Sequence, residues 1–134
     1  MKLKFRFLPG NFGVCRLPAD APIPAWSQTG PLSSITRTNE ELSVVCPKES
    51  VPPQQAFEGG WICLKLEGPF SFSEVGILAA FIDPLQDEGV PIFAISTYDA
   101  DYVLIKEGFS RTALDALRKA GHELVEVGRR CVVA

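Results

Sequence analysis

The chain has 134 residues, 46% of them hydrophobic, and a formal net charge of -3. That length holds one compact domain or two very small units sharing a core, and the apolar content excludes a disordered chain. The acidic balance, with no Lys/Arg cluster beyond Arg129-Arg130, argues against a nucleic-acid partner, because contacts to phosphate supply most of such affinity.

Charge and apolarity alternate from Met1 to Leu8, and no apolar core of a signal peptide follows, so the segment reads as a strand. No stretch approaches the roughly 20 apolar residues of a membrane span. A soluble, cytoplasmic protein without a membrane partner is the expectation. Prolines Pro9, Pro18, Pro22, Pro24, Pro31, Pro47, Pro52 and Pro53 make a long helix improbable before Phe57, since proline removes a donor and clashes with the preceding turn. The runs Leu3–Leu8, Gly13–Leu17, Leu32–Arg37 and Leu42–Cys46 read as strands. Val51-Pro52-Pro53-Gln54-Gln55 reads as a linker. Cys15, Cys46, Cys63 and Cys131 are far apart in sequence, and His122 is the sole histidine, so no zinc-type ligand set is visible. The thiols read as reduced core residues in the cytosol.

The second half is more regular. Trp61–Leu66 is an apolar run that ends at Glu67-Gly68-Pro69. Ser71 with Glu74 three residues on fits a capping box, and Val75, Leu78, Ala79, Ile82 and Leu85 recur on one helical face up to a stop at Gly89. Pro84 conflicts with that helix and predicts a kink or an end near Asp83. Val90–Ser96 is apolar enough for a central strand. Thr97-Tyr98-Asp99-Ala100 is turn-like, and Tyr102–Lys106 is a further strand. Ser110 can cap a second helix, with Phe109 stapled onto Leu114 and Gly121 as its stop. Glu123–Val127 is the last strand. The order β-α-β-β-α-β is that of a ferredoxin-like split βαβ unit. The expected fold is therefore α+β: a β-rich, helix-poor unit over residues 1–58, packed with a βαββαβ unit over residues 59–134.

Three segments go beyond a generic pattern: Leu66-Glu67-Gly68-Pro69-Phe70, Val75-Gly76-Ile77-Leu78-Ala79, and the run from Gly89 to Ile105 containing Ile95-Ser96-Thr97-Tyr98-Asp99-Ala100-Asp101. Together they resemble the ACT-domain branch that includes small bacterial tandem-ACT proteins and the cytosolic arginine sensors of TOR signalling. Arg16-Leu17-Pro18 to Trp26 and Thr36-Arg37-Thr38 to Pro47 are similar to the first ACT unit of the bacterial members. The resemblance implies a binding role. ACT domains commonly hold a free amino acid at an interface between two domains and pass its occupancy to a partner. The arginine sensors carry four such units, this chain has room for two, and a homodimer would supply four.

An amino-acid ligand presents a carboxylate and an ammonium group. A helix N-terminus offers unpaired N–H groups and positive potential for the first, here around Val75, Gly76 and Ile77. Asp99 and Asp101 offer anions for the second, where the strand through Ile95, Ser96 and Thr97 ends. Thr97 adds a hydroxyl, and Tyr98 could cover the ligand. Glu74, Asp99 and Asp101 are compatible with a basic ligand.

Each residue has a plainer reading beside this one. Gly76 could serve close helix–sheet packing, Asp99 an Asx-turn, Asp101 a solvated strand entry and Glu74 the capping box. Tyr98 and Tyr102 could be half-buried aromatics. His122 reads as a surface residue completing a helix C-cap, and Trp26 and Trp61 as core. Enzyme readings lack support. With one histidine there is no catalytic triad to assemble, and Gly59-Gly60 precedes a strand where a phosphate loop would precede a helix. RNA-recognition domains share the element order, but Asp101-Tyr102-Val103-Leu104-Ile105 lacks their basic and aromatic pattern. The reading is a non-catalytic regulatory module without a cofactor. The alternative is an interaction or dimerisation module without a ligand.

Overall fold

The computed structural model describes residues 1–68 and 75–125. The chain forms two compact units: Gly10–Trp61, and Met1–Pro9 together with the chain from Ile62 onward.

In the unit Gly10–Trp61, β2 (Phe12–Leu17) pairs antiparallel with β4 (Leu42–Pro47) along its whole length, and β3 (Ser34–Arg37) lies on the other side of β4. β2 also meets the start of β5 (Glu58–Leu66) at Phe12↔Trp61 and Val14↔Glu58, with a register shift between the two pairs. Two glycines make room there for an aromatic ring. A Cβ on Gly13 would stand 2.8 Å from the Phe57 ring, and one on Gly59 2.7 Å from it. Among the described residues only two short 3-10 turns interrupt the strands, at Ala25–Ser27 and Lys48–Ser50, as the proline density predicts. Alternation along β2 and β4 buries Cys15, Leu42, Val44 and Cys46 together, with Trp26 and Ile35 against them. Burial pushes the Cys46 thiol up to about 11, with the charge of Cys15 adding to the effect; burial also raises Cys15.

The other unit carries strands in the order β6-β7-β5-β1-β8. These include β6 (Ile92–Ser96), β7 (Asp101–Lys106) and β8 (Glu123–Leu124). From β5 through α1 (Ile77–Asp87) and α2 (Ser110–Lys119) to β8, the element order is the expected ferredoxin-like one. The N-terminal strand β1 (Lys4–Phe7) was not expected in this unit. The sequence reading groups residues 1–58, whereas β1 runs antiparallel to β5 and parallel to β8 and fills the place between them. Its alternating pattern explains the placement. Leu3 and Phe5 join the core formed by Ile62, Leu64, Leu66, Val103 and Ile105 with the helix residues Phe81, Leu85, Ala113 and Leu117. The Phe5 and Phe81 rings meet edge-on at 5.3 Å, a contact worth about 0.5–1.5 kcal/mol beyond the area it buries.

Several local expectations change. β6 is apolar but not central: it pairs with β7 alone among the described strands, and none of its residues is fully buried. An apolar run does not distinguish two-sided burial from an edge strand covered in part on each face. Ser110 is the first residue of α2 and buried; Phe109 holds the N-cap position without a side-chain cap. Both helices stop at glycines as expected. Gly89 N–H bonds Gln86 C=O and Val90 N–H bonds Leu85 C=O; Gly121 and His122 repeat the pattern with Arg118 and Leu117. These are Schellman motifs, which require the left-handed backbone seen at Gly89 (φ 73) and Gly121 (φ 97). The expected capping box at Ser71 and Glu74, the expected strand end at Val127 and the thiol of Cys131 lie outside the described residues.

The largest correction concerns Pro84 and His122. α1 does not end near Asp83; Pro84 sits inside it. Proline leaves the carbonyl four residues back, that of Ala80, without its helical donor. His122 Nε2 stands 3.0 Å from that oxygen, and Leu3 N–H donates to His122 Nδ1 at 3.0 Å. These partners require a neutral ring with its hydrogen on Nε2. His122 completes the C-cap through its backbone as expected, but its side chain is only 4% exposed and bridges β1, α1 and the end of α2.

Candidate functional site

The site expected from the sequence consists of a helix start and a hairpin. At the helix start, Gly76 is the N-cap of α1 in a left-handed conformation (φ 80, ψ 5), and no side chain of the described residues caps this end. A Cβ added at Gly76 would meet nothing within 4 Å, so close helix–sheet packing does not explain the glycine. The positive φ does. Val75 before it is 85% exposed. The Ile77 side chain belongs to the core, so only its backbone can face a ligand. The first intrahelical bond runs from Ala80 N–H to Gly76 C=O, which leaves the N–H groups of Ile77, Leu78 and Ala79 at the open end of the helix.

The hairpin joins β6 to β7. Thr97 N–H donates to Ala100 C=O at 2.8 Å, and Thr97 Oγ1 accepts Ala100 N–H at 3.2 Å. Thr97 therefore supplies the side-chain bond that closes the turn, in the role the plainer reading gave to Asp99. Tyr98 and Asp99 form the tip, both exposed. Just below, Ser96 Oγ donates to Asp101 Oδ1 at 2.5 Å across the paired positions Ser96↔Asp101. Asp101 is thus a half-buried, oriented carboxylate and not a bare strand-entry charge.

Register sorts these residues by face. Val103 and Ile105 point to the helices, so Asp101 and its partner Ser96 lie on that face as well. Ile95 and its partner Tyr102 lie on the other face, where Arg6 Nε pairs with Glu67 Oε2 at 2.7 Å. Burial raises the Tyr102 phenol, as do Cys63, Asp99 and Glu67, while Arg6 acts in the opposite sense. Of the expected site residues, Ser96, Thr97 and Asp101 come together, and Ile95 can contribute only backbone on the helix side. In the ferredoxin-like connectivity α1 carries the chain back over the sheet. β6 then runs in the sense of β5, and the hairpin after it shares the sheet edge at which α1 begins. The Ser96 hydroxyl as partner of Asp101 was not foreseen; its signal is the five-residue spacing across a two-residue hairpin loop. Among the described residues, no group of three His, Cys, Asp or Glu side chains is placed to hold a metal ion. No helix of the described residues is long and apolar enough to cross a membrane.

A ferredoxin-like α+β unit, with a helix start that no described side chain caps and an oriented carboxylate, defines the class. Residues 56–119 match the family model of the ACT domain. Residues 10–54 match a second family model, that of an N-terminal domain. The chain is similar over 97% of both lengths to a crystal structure of an Agobacterium tumefaciens protein, with 39% identity and a TM-score of 0.90. A Vibrio cholerae protein of unknown function, described as a possible transport protein, shares 19% identity at a TM-score of 0.72, over 90% of this chain and 91% of that one. The ligand-free regulatory subunit of aspartate kinase from Thermus thermophilus shares the fold at 16% identity and a TM-score of 0.58, over 84% of this chain and 93% of that subunit. No curated protein matches the chain.

Proposed function

We propose that the protein is a non-catalytic, cytoplasmic regulatory module that binds a free amino acid. The ligand sits where ACT domains of two copies meet in a homodimer. Its carboxylate faces the N–H groups at the start of α1 beside Gly76 and Ile77, and its ammonium faces Asp101. The observation behind this reading is that Ser96 orients the Asp101 carboxylate on the helix-covered face of the sheet; the ferredoxin-like connectivity turns that hairpin toward the start of α1, which no described side chain caps. A carboxylate and a helix N-terminus are complementary to the two charges of an amino acid. The regulatory role is supported by the ACT-domain match over residues 56–119 and by the fold shared with the aspartate kinase regulatory subunit. Asp99 at the exposed hairpin tip favours a ligand with a basic side chain, as in the arginine-sensor branch that the sequence resembles.

The test begins with a thermal-shift screen of the free amino acids, in which a specific ligand raises the melting temperature with concentration. Calorimetry then compares wild type with Asp101→Ala. The reading requires at least a tenfold loss of affinity, about 1.4 kcal/mol, with little change in stability. Equal affinities would refute the site. A second reading rests on Val75 and Tyr98, 85% and 79% exposed at the same edge. Without a hit in the screen, these two would be the anchors of a protein-interaction module.

A further inference from the structure

The imidazole of His122 is the only one in the chain, it is 4% exposed, and both its nitrogens are committed to backbone groups of other elements. Nδ1 accepts from Leu3 N–H at the start of the strand that fills the gap between β5 and β8. Nε2–H donates to the Ala80 carbonyl that Pro84 cannot serve. The Ala80 N–H continues to the Gly76 carbonyl, so one chain of hydrogen bonds joins the N-terminal strand to the first turn of α1. A doubly protonated ring has two donors and no acceptor. Its second hydrogen would point at the Leu3 N–H, and the buried cation would have no anion bonded to it.

We propose that His122 is an acid-sensitive latch, which holds the N-terminal strand and the proline-interrupted helix in place only while its ring is neutral. The proposal does not depend on the ligand reading. The elements that hold the ring carry, close in sequence to its partners, the charged residues Lys2 and Lys4 at β1, Asp83 on α1, Arg118 and Lys119 in the last turn of α2, and Glu123 on β8. The methylenes of Lys2 pack against Gly121, next to the ring. Asp83 and Glu123 are exposed and could attract a cation only through solvent, while the four basic groups oppose it. The other ring neighbour on α1 is Phe81, at 5.5 Å between centroids, which offers no hydrogen-bond acceptor in the plane of the imidazole.

The sign follows from proton uptake. A proton on Nδ1 displaces the bond from Leu3 N–H, a bond that the unfolded chain does not have to break. Stability conferred by the latch is therefore lost as the ring takes up a proton. Urea unfolding of the whole chain between pH 7.5 and pH 5.5, on wild type and His122→Gln, tests this. The glutamine amide offers one donor and one acceptor but does not titrate. Because there is no second histidine, the wild-type midpoint should fall toward pH 5.5 and that of the variant should stay level. A level wild-type midpoint, or an equal fall in both proteins, overturns the latch. If the variant does not fold, nitrogen NMR of the wild-type ring decides. A hydrogen on Nε2 at pH 7.5, with the fold loosening as the ring protonates, supports the latch. A hydrogen on Nδ1, or a ring that protonates while the Leu3 amide stays protected from exchange, overturns it.

Discussion

Replacing Gly76 separates two explanations of a glycine at a candidate binding site: room for a ligand, or backbone conformation. Its φ of 80 lies in the left-handed region, and a Cβ there would meet no atom within 4 Å. The cost of Gly76→Ala is therefore conformational, about 1–2 kcal/mol for an L-residue held left-handed. That is a factor of about 5–30 in the folding equilibrium, and a fall of several degrees in melting temperature for a chain of this size. Asparagine visits the left-handed region far more readily than alanine, and valine far less, so the destabilisation should rank Asn below Ala and Ala below Val. Urea melts at pH 7.5 with unchanged m-values measure the series. Equal costs for the three variants, or none at all, would refute the conformational argument. If ligand affinity fell in the folded alanine variant while stability did not change, close approach of the ligand would be the reason for the glycine.

Further outcomes follow from the same geometry. Pro84→Ala should change unfolding free energy by well under the roughly 3 kcal/mol of a proline in a regular helix, because His122 already serves the Ala80 carbonyl; urea denaturation reads this. Phe81→Ala should cost about 3–5 kcal/mol, since the ring is fully buried between the sheet and the helices, and circular dichroism should show a large loss of folded protein. Cys46 should resist alkylation at pH 8 in the native protein and react in urea, as judged by peptide mass spectrometry. With its thiol pushed up to about 11 from 9.0, the unfolded chain ionises first, so its contribution to stability is present below pH 9 and is lost as pH rises from there toward 11. Light scattering at tens of micromolar should return twice the chain mass, and a monomer would count against the dimer reading.

The features legible in the sequence are those written in a few consecutive residues. Gly89 and Gly121 mark both helix ends because a Schellman motif needs a left-handed residue at one position. Thr97-Tyr98-Asp99-Ala100 reads as a turn because its closing bonds are local. The strands of the proline-rich half are legible because proline forbids the alternative. What escaped depends on partners far along the chain. The Leu3 amide meets His122 across 119 residues, and Arg6 meets Glu67 across 61. No local pattern announces either contact. The same holds for β6, whose apolar residues carry no sign of whether another strand flanks them. In the candidate site, the residue types were legible. The orientation of Asp101 by Ser96, and the placing of Ile95 on the opposite face, required the register of the hairpin.

The seat of β1 has a consequence for biosynthesis. Lys4 and Phe5 leave the ribosome well before their parallel partners Glu123 and Leu124, which are made 119 residues later. At bacterial or eukaryotic elongation rates of about 5–20 residues per second, the strand waits on the order of ten seconds for its second neighbour. The contiguous unit Gly10–Trp61 can close in that interval, but Leu3, Phe5 and Phe7 cannot be buried in their final places. For that time the nascent chain presents an apolar strand with at least one edge open, the kind of segment that a chaperone or a neighbouring nascent chain would capture.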